Sequence, residues 1–126
     1  MMRVIVIDDD RDAVRSLSTL LELNGIDVEG KGHDGKEAVE LYKDIRPDAV
    51  LLDMMMPQYD GNYAIKNLKK EDKDVKIIVL TAYKSNFEFK EKDVAAVFDK
   101  PYKISEVIEE ISKWFSELRI FRFESS

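Results

Sequence analysis

Short apolar runs alternate along the chain with longer segments in which apolar residues recur at helical spacing. An apolar run without alternation is typical of a strand buried on both faces of a parallel sheet. The sequence predicts such strands at residues 4–7, 49–52, 75–80 and 94–98, and a shorter, mixed strand at 27–31 that suits a position nearer the sheet edge. Five strands are therefore expected.

Between the strands, apolar residues recur at positions i, i+3 and i+4, which predicts helices at residues 13–23, 34–45, 64–68 and 105–118. A short helix is also predicted at 84–92, although Phe87 and Phe89 are two apart and suit neither helix face cleanly. Asn24-Gly25 supplies a left-handed stop for the first helix, and Asp34 with Glu37 opens the second in the manner of a capping box. Residues 119–126 are left as a C-terminal tail.

A strand followed by a helix, five times over, requires right-handed crossovers and a parallel sheet that is covered on both faces. The predicted fold is α/β, a doubly wound sheet of five parallel strands in the order 2-1-3-4-5, flavodoxin-like, with its switch point between strands one and three. The sequence has no linker, internal repeat or low-complexity segment. One domain is expected over residues 1–118, with no output domain after it.

Polar residues follow four of the strands at the point where each strand ends. They are Asp8 and Asp9 after the first strand, Asp53 after the third, Thr81 after the fourth and Lys100 after the fifth. Because the carboxyl ends of parallel strands meet at one edge of the sheet, where ligands bind, these side chains should converge. Each has a simpler interpretation as a helix cap, a turn former or a surface lysine, but a chance coincidence of all five at one edge is not expected.

Three converging carboxylates repel one another unless they become protonated, move apart or hold a cation. Hard oxygen ligands without His or Cys select Mg²⁺, with Mn²⁺ as the alternative, and such an ion is commonly shared with a phosphate. When a phosphoryl group arrives, Asp53 is the candidate nucleophile. Thr81 would then offer a hydroxyl donor and Lys100 a positive charge to the phosphoryl oxygens.

Short motifs surround these residues. They are the acidic pair Asp8-Asp9, the segment Leu52-Asp53-Met54-Met55-Met56-Pro57 followed by Asp60-Gly61, then Leu80-Thr81-Ala82 and Lys100-Pro101-Tyr102. Each motif alone is weak, but the ordered set resembles the receiver domain of two-component response regulators, of the CheY-like, single-domain kind. The resemblance covers residues 3 to about 118.

The resemblance implies a role for each site residue. It implies Asp53 as phosphoacceptor, Asp9 as direct metal ligand, Asp8 as a ligand mostly through water, the Met55 main-chain carbonyl as a further metal ligand, and Thr81 and Lys100 as phosphoryl-binding residues. Asp10 is then an extra acid that caps a helix or lies in solvent. The chain is not expected to be a conventional enzyme, because it would catalyse only its own Mg²⁺-dependent phosphorylation and dephosphorylation.

The resemblance also implies partners. A histidine kinase, a phosphotransfer protein of a phosphorelay or a small acyl phosphate would supply the phosphoryl group. The output would be a downstream effector protein that reads the surface built from helix four, strand five and helix five. A monomer or weak dimer is expected.

One position and the length of one segment depart from the family pattern. The family's aromatic switch residue lies three positions before the lysine, and here that position is Val97, while Phe98 beside it should point to the opposite face. The span from Thr81 to Lys100 is also shorter than usual by roughly three to four residues, about one helical turn. The aromatic switch is therefore not expected in its usual form, and helix four is expected to be stunted or irregular.

The residues that flank the path of the attacking water are expected to be Met55 and Tyr83, two positions beyond Asp53 and Thr81 respectively. Neither side chain is an acid or an amide that could orient a water molecule. Slow self-dephosphorylation is therefore predicted.

Composition excludes several other classes of function. The chain carries 20 Lys and Arg against 26 Asp and Glu, a net charge of −6, so attraction to nucleic acid or anionic lipid is not expected. It has no Cys for a disulfide or thiolate metal site. No apolar segment approaches the ~18 residues of a membrane span, and the start is too short for a signal peptide, so a soluble, cytoplasmic protein is predicted.

Alternative functions fit less well. A receiver fold that binds proteins constitutively, without phosphorylation, would be signalled by loss of a site residue, and none is missing. A haloacid-dehalogenase-type phosphatase needs Thr or Val soon after its D-x-D motif, where this chain has Arg11-Asp12. A flavin site would need a Ser-, Thr- and Gly-rich loop rather than carboxylates. His33, the only histidine, is interpreted as a surface residue.

Overall fold

The computed structural model describes residues 2–82 and 89–125, with side chains in the last helix as far as Trp114. The regular elements in this part of the chain are β1 (Arg3–Ile7), α1 (Arg11–Leu23), β2 (Asp27–Gly32), α2 (Gly35–Ile45), β3 (Ala49–Leu52), α3 (Gly61–Glu71), β4 (Ile77–Thr81), β5 (Ala96–Asp99) and α4 (Ile104–Ser125). Among these residues, no helix combines the length and the apolar character needed to cross a bilayer.

The five strands form one parallel sheet in the order β2-β1-β3-β4-β5. This confirms the predicted fold class and the switch point between β1 and β3. Successive residues of a strand point to opposite faces, and both faces are covered. On β1, Ile5 and Ile7 pack into the layer that contains α2 and α3, whereas Val4 and Val6 pack into the layer that contains α1 and α4. Burial on both faces explains why the apolar runs lack alternation.

The boundaries differ from the prediction at the C-terminal half of the sheet. β4 begins at Ile77 rather than at residue 75, although Val75 is still buried, and β5 runs from Ala96 to Asp99. The first five residues of the short helix predicted at 84–92, residues 84–88, lie outside the described residues. Beyond them the chain forms a 3-10 turn at Glu91–Asp93.

The last helix is longer than predicted. α4 begins at Ile104 and continues to Ser125, so residues 119–125, predicted as a tail, have helical backbone. Among the side chains that the structure describes, Val107, Ile111 and Trp114 of this helix are buried. The predicted end followed the apolar stripe of the sequence, which indicates burial and not the length of the helix.

The loop after β3 is held against α3 by a close backbone approach. The main-chain N–H of Gly61 donates to the carbonyl of Met54 at 3.0 Å. A Cβ atom at Gly61 would lie 2.7 Å from the Cα of Met54 and still closer to its thioether. Only glycine therefore fits at this position, and the contact fixes the chain immediately after Asp53.

Replacing Gly61 with alanine is expected to reduce the free energy of unfolding by about 2–3 kcal/mol, because the backbone of Met54 must shift to admit the methyl group. Urea denaturation checks this. Asn62→Ala, the neighbouring helical position, is the matched control and should change the stability by less than about 0.5 kcal/mol. Equal stability of Gly61→Ala and the wild type would show that the loop adapts freely.

Candidate functional site

The topology places Asp8 and Asp53 side by side. They directly follow β1 and β3, which pair in parallel with Ile7 opposite Leu52. The main-chain N–H of Asp53 extends this ladder by donating to the carbonyl of Ile7 at 2.9 Å. Since both strands are central, the two aspartates emerge at the switch point of the sheet, where the crevice of a doubly wound fold forms.

The carboxylates of Asp8, Asp9 and Asp53 converge at this edge. One oxygen from each lies within 4.8 Å of the other two. Asp53 is 7 % exposed and Asp8 9 % exposed, whereas Asp9 lies at the surface. Three hard oxygen donors with an open, exposed side fit Mg²⁺, which takes only a few protein ligands and keeps several waters.

Lys100 reaches the same carboxylates from the end of β5. Its Nζ lies 3.1 Å from Oδ2 of Asp8, to which it donates, and 3.6 Å from Oδ1 of Asp53. Burial alone would lower the pKa of Lys100, but the carboxylates of Asp53 and Asp8 outweigh burial, so this pKa is raised. The lysine is therefore a fixed positive charge at the site.

Asp53 resists ionisation in the absence of a divalent cation. Burial and the negative charge of Asp8 raise the pKa of Asp53 to about 6. Lys100 and the main-chain N–H groups of Met55 and Met54, which donate to the carboxylate, oppose this rise without cancelling it. Burial and the adjacent Asp8 also raise the pKa of Asp9. The negative charge of the three carboxylates therefore exceeds the positive charge of Lys100, and a further cation would reduce the repulsion among the carboxylates.

Three of the remaining predicted residues are Thr81, Met55 and Asp10, which the structure describes. Thr81 is completely buried at the end of β4, and its carbonyl accepts the main-chain N–H of Lys100 at 2.9 Å. Met55 follows Asp53 by two residues and is 52 % exposed. Tyr83, the other residue predicted to flank the water path, lies outside the described residues. Asp10 is the N-cap of α1, where its side chain accepts the N–H groups of Asp12 and Ala13.

Val97 and Phe98 point to opposite faces, as predicted. Val97 packs into the layer of α2 and α3, and Phe98 packs into the layer of α1 and α4. The aliphatic side chain therefore occupies the face on which the family's aromatic switch residue was expected. A switch based on rotation of an aromatic ring at position 97 is excluded by the residue itself.

Two further side chains lie at the site and had no role in the sequence prediction. Tyr102 lines a 40 Å³ cavity beneath the carboxylates together with Asp8, Asp53 and Lys100, and burial raises the pKa of its hydroxyl. His33, interpreted as a surface residue, is half-buried, and its ring contacts the main chain of Asp8. Its position directly after β2, the neighbour of β1, was the available signal for this contact.

The sequence and the fold of this chain are similar to those of known proteins. The family model of the response regulator receiver domain matches residues 4–112. The chemotaxis protein CheY of Thermotoga maritima is 36% identical over 114 residues, which cover 88% of this chain and 95% of that protein. The response regulator protein TrrA from Thermotoga maritima, solved in complex with Mg²⁺-BeF, superposes with a TM-score of 0.79 at 29% identity and covers 90% of this chain and 98% of that one.

A second type of relative is longer than this chain. The response regulator MprA of Mycobacterium avium is 46% identical over 81 residues, 64% of this chain. The match spans only 35% of that protein. The part of the chain that matches therefore spans about a third of the length of these relatives.

Proposed function

Because this chain belongs to the response regulator receiver domain family, we propose that Asp53 accepts a phosphoryl group in a Mg²⁺-dependent step of two-component signal transduction. The observation that carries this proposal is the convergence of three carboxylates within 4.8 Å, with the Lys100 ammonium 3.1 Å and 3.6 Å from two of them. The C-terminal ends of β1, β3 and β5 bring these charges together.

The residues that would hold Mg²⁺ are Asp8, Asp9, Asp53 and the main-chain carbonyl of Met55, with Mn²⁺ as a substitute. Receiver domains use Mg²⁺ as a family, and the acidic cluster of this chain is compatible with it. When bound, the ion offsets the repulsion among the carboxylates and neutralises charge that develops on the phosphoryl oxygens.

In the proposed reaction an Asp53 oxygen forms a bond to phosphorus while the bond from phosphorus to the donor breaks, and the donor leaves with that electron pair. The main-chain N–H groups of Met54 and Met55 orient the Asp53 carboxylate. Lys100 would move from its bond with Asp8 towards the new phosphoryl oxygens, and the Thr81 hydroxyl would donate to them. Through these contacts, Thr81 would transmit the effect of phosphorylation to β4 and Lys100 would transmit it to β5.

Receiver domains interact with kinases and effectors, and we infer the same two classes of partner for this chain. The donor would be a histidine kinase or a phosphotransfer protein. The target would be an effector protein that reads β5 and the flanking helices. The presence of all three acids with Thr81 and Lys100 argues against the alternative, a module that binds constitutively and is never phosphorylated.

Incubation with acetyl phosphate and Mg²⁺ tests the proposal, because a small acyl phosphate replaces the unidentified kinase. Intact-protein mass spectrometry should show the addition of one phosphoryl group. Chelation of the metal with EDTA should reduce the rate by about a hundredfold or more, since the uncompensated carboxylates repel the donor. Absence of any mass gain with Mg²⁺ present would refute phosphoacceptor function.

The phosphorylated chain is expected to lose its phosphoryl group slowly, over minutes or longer. Met55 is exposed beside Asp53, and a thioether cannot orient an attacking water as an amide or acid can. Met55→Gln should accelerate the loss by about tenfold or more. Decay of the phosphorylated mass after removal of acetyl phosphate measures both rates, and loss within seconds in the wild type would contradict the prediction.

A further inference from the structure

His33 connects the acidic loop to two neighbouring elements. The residue lies between β2 and α2, and its ring Nδ1 is 3.0 Å from the main-chain carbonyl oxygen of Asp8. On the other side of the ring, Nε2 is 3.1 Å from Nη1 of Arg11, the first residue of α1. One side chain therefore links the ends of β1 and β2 to the start of α1.

The chemistry of the two partners determines the state of the ring. A carbonyl oxygen can only accept a hydrogen bond, so Nδ1 must carry the hydrogen and donate to Asp8. A guanidinium group can only donate, so Nε2 must accept from Arg11. The ring therefore carries its hydrogen at Nδ1, on the side of Asp8, and the contact of Nε2 with Arg11 favours this tautomer.

This hydrogen bond fixes the peptide group that joins the two acidic residues. The N–H of Asp8 donates to the carbonyl of Gly32 at 3.1 Å, and its carbonyl accepts from His33. Consecutive residues at the end of β2 thus bind both polar groups of Asp8. Because the Asp8 carbonyl belongs to the same planar peptide unit as the Asp9 N–H, its orientation fixes the position of the Asp9 Cα, from which the side chain leaves the loop.

Asp9 needs such support more than its neighbours do. Asp8 and Asp53 are enclosed by the sheet and contacted by Lys100, whereas Asp9 is exposed at the mouth of the site. An exposed carboxylate that must meet two buried ones loses rotational freedom on binding a cation, and a rigid main chain reduces that loss.

We propose that His33 is a positioning residue for the metal site, which sets Mg²⁺ affinity by holding the Asp8–Asp9 peptide through its Nδ1–H. This inference rests on the proposed Mg²⁺-dependent function. The side chain makes no contribution to the cap of α2, because the bond from His33 to Glu37 Oε2 at 3.0 Å uses the main-chain N–H and survives any substitution.

Three neutral substitutions separate the two sides of the ring. Asparagine places its amide nitrogen where Nδ1 lies, and glutamine places it where Nε2 lies. We expect His33→Gln and His33→Leu to weaken Mg²⁺ binding by about tenfold, the usual effect of removing a group that orients a metal ligand, while His33→Asn retains wild-type affinity. Isothermal titration with Mg²⁺ alone measures this, and thermal unfolding in EDTA establishes that each variant is folded.

The outcomes are distinct. Unchanged affinity in all three variants would overturn the inference, because the ring would then be a bystander. Equal weakening in all three, with no rescue by asparagine, would also overturn it, because ring packing rather than the Nδ1 hydrogen bond would be responsible. Failure of the wild type itself to bind Mg²⁺ would refute the proposed function and this inference together.

Discussion

Replacing Asp53 with asparagine is expected to abolish phosphorylation by acetyl phosphate and to raise the stability of the folded chain at neutral pH. Phosphorylation is lost because an amide oxygen is a poor nucleophile and carries no charge to share with Mg²⁺. Stability rises because Asp53 is buried beside Asp8. Removal of its charge eliminates both the cost of burying that charge and its repulsion by Asp8. Loss of function and gain of stability are thus predicted from one substitution.

The stability gain should depend on pH. The pKa of Asp53 is about 6 in the folded chain against 3.8 for a free aspartate. Between these values the folded chain binds the proton that the unfolded chain has lost, so the stabilising contribution of protonated Asp53 is complete below about pH 4 and disappears as the pH rises through about 6. Asp53→Asn should therefore match the wild type near pH 4 and exceed it by about 1–3 kcal/mol above pH 7.

Urea denaturation in EDTA across this pH range, together with intact-mass measurement, checks both effects. Asp10→Asn is the matched control, because it makes the same chemical change in the adjacent loop at an exposed helix cap that asparagine also fills well. The control should be phosphorylated normally and change stability by less than about 0.5 kcal/mol. Phosphorylation of Asp53→Asn, or parallel stability curves for it and the wild type, would contradict the account.

Replacing Lys100 with methionine is expected to slow phosphorylation by about a hundredfold, because the positive charge aimed at the phosphoryl oxygens is removed while most of the length of the side chain is kept. Mg²⁺ binding should not weaken. Lys100 Nζ lies 3.1 Å from the carboxylate of Asp8 and 3.6 Å from that of Asp53, so its removal eliminates a cation that competes with Mg²⁺ for them. Slower phosphorylation with undiminished Mg²⁺ affinity distinguishes this role from simple damage to the fold.

Rates of phosphorylation by acetyl phosphate and isothermal titration with Mg²⁺ measure the two effects of Lys100→Met. Lys103→Met removes the same charge from an exposed position three residues away and serves as control. The control should react at the wild-type rate. A wild-type rate in Lys100→Met would show that the lysine does not contact the phosphoryl group, and a large loss of Mg²⁺ affinity would show that the substitution damages the metal site.

The sheet could be predicted from sequence because its three central strands, β1, β3 and β4, are buried on both faces. Continuous runs such as Val4 to Ile7 leave few interpretations, and alternation with helices then fixes the order of strands. The ends of the strands were harder to predict, because an apolar run in the sequence indicates burial and not hydrogen bonding. Val75 is buried although β4 begins only at Ile77. The end of α4 was missed since helical backbone can continue where the apolar stripe stops.

The acidic cluster could likewise be predicted, because topology alone brings the ends of β1 and β3 together. The hydrogen-bonding partners of individual side chains could not. Lys100 lies nearer to Asp8 than to Asp53, an outcome of local packing that no spacing encodes. His33 was assigned to the surface because a histidine in a turn usually lies there, whereas the register of β2, with Gly32 opposite Ile7, places its ring against Asp8.

The central claim is that this edge of the sheet makes Asp53 the phosphoryl acceptor. The most direct test is to treat the chain with acetyl phosphate and Mg²⁺, reduce it with borohydride, which converts an aspartyl phosphate to homoserine, and map the product by peptide mass spectrometry. Homoserine at position 53 alone is predicted. Homoserine at Asp8, Asp9 or any other acidic residue, or no homoserine at all, would contradict the account.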